Sequence, residues 1–205
     1  MNGSALMASL AVGFALQRSG VRLMLAESCT GGLASRWLTD IAGSSHWFDG
    51  AVVSYANATK VGFLGVKEAT IRLHGAVSLQ TAAEMAEGLR RQHRKALVSF
   101  GTHTTEPLAA ASVTGVAGPT GGSKAKPVGL VCFGWSGPWG LETEQRLFHG
   151  DRAQIREKAA FHALSGILAR TLAATASVRS SRSAHAGGCA RMAAGTRCFR
   201  AFSLF

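Results

Sequence analysis

Three stretches of this sequence set side chains with usable chemistry beside glycines that can bring a backbone close to a ligand. Residues 26–32 read A-E-S-C-T-G-G, between an apolar run over 21–25 and a helix-like stretch over 33–41. A turn that opens a helix leaves backbone N–H groups without intrahelical partners. Such a turn can stabilise developing negative charge while presenting the Ser28 hydroxyl as a nucleophile at the rim of a sheet. An ordinary helix cap is the alternative, since Ser, Thr and Gly are common at helix starts and turns. Residues 54–60, S-Y-A-N-A-T-K, hold a phenol, Tyr55, and an amine, Lys60, at a strand-to-helix junction. A buried lysine can lose its proton and act as a base toward a serine, and a tyrosine hydroxyl can relay a proton. A packed tyrosine with a surface lysine is the commoner fate of such a pair. Residues 114–129, T-G-V-A-G-P-T-G-G-S-K-A-K-P-V-G, contain Gly115, Gly118, Gly121 and Gly122, which let backbone amides approach an anion. Their spacing is neither a dinucleotide fingerprint nor a Walker loop, and a flexible surface loop has the same composition.

These groups need elements to hold them. Apolar spacing predicts a helix over 5–16, a strand over 21–26 and a helix over 33–41. A second strand is expected over 50–55, followed by short helices over 57–64 and 67–74. Ser78 caps a longer helix with Leu79, Ala82, Ala83, Met85, Ala86 and Leu89 on its apolar face. That helix is expected to end in the cluster Arg90, Arg91, His93, Arg94 and Lys95, where positive charge complements the helix dipole. Strands are expected over 96–100, 112–116, 128–135 and 144–149, the last two as a hairpin around Gly137, Pro138 and Gly140. Asp151 caps a final helix over 152–171. Strands separated by helices give an α/β class, a single layered α/β/α sandwich with a mixed sheet over residues 1–172.

Composition narrows the function classes. No run of 18 or more apolar residues occurs, so no membrane span is expected. The start M-N-G-S-A-L lacks the basic opening of a secretory signal. Cys29, Cys132, Cys189 and Cys198 show neither C-x-x-C spacing nor a paired framework, which fits a reducing cytoplasm and no metal site. The net charge of +11 invites a nucleic-acid reading, but from Arg170 onward there are six Arg and no acid, so about half the excess belongs to that stretch. The body is only mildly basic, and nucleic acid is not the expected partner.

Further stretches carry a family signature. I-A-G-S-S-H-W-F at 41–48, G-V-K-E-A-T at 65–70, H-G-A-V-S at 74–78, K-P-V-G at 126–129 and G-D-R at 150–152 take their places in order among the three above. Over about residues 5–172 the chain resembles the CinA carboxy-terminal domain, or PncC, family of nicotinamide-nucleotide amidases. The resemblance implies hydrolysis of the carboxamide of nicotinamide mononucleotide to nicotinate mononucleotide and ammonia, with no metal and no cofactor, in the cytoplasm and by a homo-oligomer. The family's catalytic serine, tyrosine and lysine fall on Ser28, Tyr55 and Lys60. Backbone N–H groups near Thr30, Gly31 and Gly32 are candidates for the oxyanion site. Asn57, Thr114 and the loop with Gly115, Gly118, Gly121 and Gly122 are candidates for holding ring, ribose or phosphate. Cys29 is a chemically plausible rival nucleophile.

Four departures from the family pattern stand out, among them Thr120, where the family commonly has an acidic or Gly residue, and Gly50, where it commonly has an Arg. Residues 101–110 (G-T-H-T-T-E-P-L-A-A) read as an insertion beside the binding loop, which raises the alternative of a catalytically impaired homologue that binds nucleotide or a partner protein. Residues 173–205 read as a basic, disordered tail.

Overall fold

The computed structural model describes residues 2–102 and 106–192, with side chains described as far as Ser177. Helix α1 (Gly3–Ser19) is capped by the Asn2 side chain and stopped by Gly20 in the left-handed conformation. Then follow β1 (Arg22–Glu27), α2 (Leu33–Thr39), a single 3-10 turn (Ser44–His46) and β2 (Phe48–Val53). Next come α3 (Asn57–Leu64), α4 (Glu68–His74), α5 (Leu79–Ser99), β3 (Leu108–Gly115), β4 (Leu130–Gly137), β5 (Gly140–Leu147) and α6 (Arg152–Met192).

The five strands form one mixed sheet in the order β2-β1-β3-β4-β5. Strand β1 runs parallel to both β2 and β3, whereas β3–β4 and β4–β5 are antiparallel. Side chains alternate across the sheet, and both faces of its centre are buried. Leu23, Leu25, Ala109, Ala111, Phe133 and Trp135 pack with Val12, Leu16, Leu38, Ile155, Leu164 and Ile167 from α1, α2 and α6. Met24, Ala26, Leu108 and Ala110 pack on the other side with Leu64, Met85 and Leu89 from α3 and α5. This is the expected α/β/α sandwich. Among the described residues no helix is long and apolar enough to cross a membrane.

The sequence expectations need correcting where α5 passes into β3. Residues 96–99 are helical, not a strand: α5 continues to Ser99, and Val98 and Phe100 stand 63% and 86% exposed, which no central strand would allow. The central strand is instead the alanine-rich L-A-A-A-S-V-T-G of β3, whose small side chains let helices approach both faces. The segment 101–110 is therefore the α5–β3 connection plus the first residues of β3. It meets the sheet where Arg22, the first residue of β1, pairs with Leu108, at the opposite end from Ser28 and not beside the binding loop. Helix α6 runs on to Met192, and the tail expected over 173–205 continues into residues 193–205, which lie outside the described residues.

Candidate active site

Parallel β1 and β3 end on the same rim of the sheet, and the candidate residues gather there. Ser28 follows β1 directly, its amide donating to the Val113 carbonyl of β3 at 2.9 Å. Lys60, on the first turns of α3, reaches across from the next connection. Its Nζ donates to Ser28 Oγ at 3.0 Å, to the Ser54 carbonyl at 2.7 Å and to the Tyr55 carbonyl at 3.4 Å. Lys60 is only 1% exposed, and burial lowers its pKa below the ordinary lysine value. Two carbonyls can take the two N–H groups of a neutral amine, which leaves its lone pair for the Ser28 hydroxyl. Cys29 is the opposite case: burial pushes its thiol up to about 12, so it stays protonated and unreactive.

The turn is held by a residue that the sequence reading did not single out. Glu27, the last residue of β1, is fully buried. Its carboxylate accepts from the amides of Gly32 (3.0 Å), Ala34 (3.3 Å) and Ser35 (2.8 Å). An acid on the preceding strand thus caps α2, where the helix dipole favours negative charge. Gly31 and Gly32 adopt positive φ (61° and 89°), which this sharp turn requires and which only glycine takes without strain. Their amides are already engaged, Gly31 with the Ser28 carbonyl at 3.0 Å and Gly32 with Glu27. The candidate oxyanion donors therefore shift from Gly31 and Gly32 to the amides of Cys29 and Thr30.

The other candidates are distributed around this pair. Tyr55 is 62% exposed, and its hydroxyl accepts from Arg152 at 2.9 Å, while Lys60 touches only its carbonyl. Arg152 also donates to the Gly118 carbonyl at 2.6 Å, tying the glycine loop to α6 and Tyr55. Arg156, one turn further along α6, donates to the Thr30 carbonyl at 2.7 Å. Two guanidinium groups thus flank the Ser28 turn, and neither was assigned from sequence, although G-D-R had marked the start of this helix. Thr114 is buried and donates to the Ala76 carbonyl at 2.8 Å, so its hydroxyl fastens a loop. Asn57 lines a cleft of about 510 Å³ between α3 and α4, on a different face of α3 from Lys60. The glycines at 115, 118 and 122 are explained largely by packing. A Cβ at each would fall 2.5–2.9 Å from Leu130, Val128 and the Val128 backbone, respectively. A Cβ on Gly121 would make ordinary contact with Val116 Cγ1 at 4.0 Å, so there it is the φ of 84° that favours glycine.

Residues 7–171 match the sequence profile of the CinA C-terminal domain. The chain belongs to that family. A nicotinamide-nucleotide amidohydrolase PncC of Enterobacter agglomerans is 45% identical over 161 residues, covering 78% of this chain and 91% of the relative. A CinA-like protein of Syntrophobacter fumaroxidans is 46% identical over 153 residues, 75% of this chain but 33% of its own length. The chain thus spans about a third of such longer relatives. Among solved structures, a competence or damage-inducible protein from Enterobacter asburiae superposes with a TM-score of 0.73 at 31% identity, over 83% of this chain and 99% of its own. Within this CinA-type domain the Ser28–Lys60 contact lies at the rim where strand ends and helix starts converge.

Proposed function

We propose that this CinA-type domain hydrolyses the carboxamide of nicotinamide mononucleotide, with Ser28 as nucleophile and Lys60 as general base and acid. The 3.0 Å contact between the Lys60 amine and Ser28 Oγ, both buried, carries the reading. In the first half-reaction the Ser28 hydroxyl gives its proton to neutral Lys60 as Oγ bonds to the amide carbon. The Cys29 and Thr30 amides hold the oxyanion. As the C–N bond breaks, Lys60 returns the proton to nitrogen and ammonia departs. Water then attacks the ester, Lys60 takes its proton and passes it to Ser28, and nicotinate mononucleotide leaves. Arg152 and Arg156 place positive charge beside the turn, complementary to the substrate's phosphate. Tyr55, held by Arg152 at the mouth, orients substrate in this scheme and does not relay the proton. The similarity to the PncC amidohydrolase supports the substrate class. The 101–110 segment enters β3 at the end opposite Ser28, which supports an active enzyme over an impaired homologue.

Ammonia release from nicotinamide mononucleotide by the parent, abolished in both Ser28→Ala and Lys60→Ala, is the expected result. A folded parent that releases none overturns the proposal.

A further inference from the structure

The basic cluster on α5 has lost its simplest explanation. Helix α5 continues past Lys95 to Ser99 and has no basic residue in its last turn, so Arg90, Arg91, Arg94 and Lys95 do not cap its dipole. They line, with Glu87, an open cleft of about 400 Å³. Among the described residues none of the four cations is in an ion pair, and Glu87 is the one acid in the lining. Arg90 is fixed from below, donating to the buried Ser136 hydroxyl of β4 at 2.6 Å, while its Nε is buried without a partner. Burial and then the Arg94 charge lower the Arg90 pKa, as expected where like charges gather uncompensated. Natural helices relieve such repulsion with acids at i±4, and apart from Glu87 this surface does not.

We propose that this cleft binds a compact polyphosphate anion, such as the phosphate chain of a nucleoside triphosphate, at a site separate from Ser28. Four cations within two helical turns match three or four anionic phosphoryl groups, and planar guanidinium forks take their oxygens in pairs. The patch spans roughly 8 Å along the helix axis, which is short for a nucleic-acid track. It also lies away from the chemistry. Ser78, which opens α5, hydrogen-bonds the Gly75 carbonyl in the loop that Thr114 fastens, and the cluster begins 12 residues later, roughly 18 Å along the helix. The neighbouring His93 grips Asp49 at the start of β2, again the rim opposite Ser28.

The test is calorimetric titration of the full chain with inorganic triphosphate at physiological salt, in parent and in Arg94→Ala/Lys95→Ala. The parent should bind with a Kd below about 1 mM, and the double variant at least about tenfold more weakly, with amidase activity and melting temperature unchanged. Adenosine triphosphate distinguishes the source of the anion. Equal affinity means that the site reads phosphate alone, and tighter binding means that it also holds the nucleoside. Failure to bind triphosphate, or binding that the double variant leaves intact, overturns the proposal. So does capture of a duplex oligonucleotide through these residues without any affinity for triphosphate.

Discussion

Lys60 carries a pH dependence whose sign follows from its environment. Burial lowers its pKa below the ordinary value of 10.5, so between the two values the unfolded chain binds a proton that the fold excludes. Stability contributed by this residue therefore rises with pH across that window. Relative to Lys60→Met, the parent should gain about 1.4 kcal/mol for every pH unit the window spans, read by chemical denaturation at several pH values. Activity needs the neutral amine, so kcat/KM should climb with pH to a plateau, with a midpoint below 10.5. A profile flat across this range would remove Lys60 from the role of base. The neighbouring thiol should be silent. Cys29→Ala should stay within about tenfold of parent activity, and Ser28→Ala should lose about a thousandfold or more, both measured by ammonia release. Iodoacetamide should leave the native enzyme active, because the thiol is buried and protonated.

At the scale of elements, the join between β1 and α2 depends on Glu27. Glu27→Gln would offer one carbonyl oxygen and an NH2 group to three N–H donors, leaving at least one amide unpaired. The expected loss is about 1–3 kcal/mol in thermal or chemical unfolding. Because the same join aims Ser28, kcat should fall by a larger factor than KM rises, and an intact kcat would confine Glu27 to a stability role. The residues that make this join explain how far the sequence could be read. A helix start with a local signal was legible: Ser78 caps α5, as expected, its hydroxyl accepting from the Thr81 amide. Residues 96–100 and 108–115 were harder, because a short apolar run has no period that separates helix from strand. There exposure decides, and exposure belongs to the folded chain. Glu27 was invisible because its partners become donors only once Gly31 and Gly32 turn the chain back. Arg152 and Arg156 meet Tyr55 and Thr30 across 97 and 126 residues, a pairing that no local window contains. Ser28 and Lys60 were found by residue type and by resemblance; their contact is a product of the parallel β1–β2 pairing that brings the two connections together.

The whole molecule divides its sheet between two tasks. One rim gathers Ser28, Lys60, Arg152 and Arg156. The other holds Asp49 between Arg22 and His93, and there the α5–β3 connection enters the central strand. Charge is divided along the chain as well, since six Arg and no acid fall from residue 170 onward. Gly101 and Thr102, exposed just beyond the end of α5, offer a route for attaching cargo. An affinity tag, a fluorophore-bearing cysteine or a surface linker placed there would point the reactive rim away from whatever it is tethered to. An enzyme immobilised through Gly101 or Thr102 should keep the turnover of the free form, while one anchored at residues 118–122 should lose it, a difference that a packed-bed assay of ammonia release would read directly.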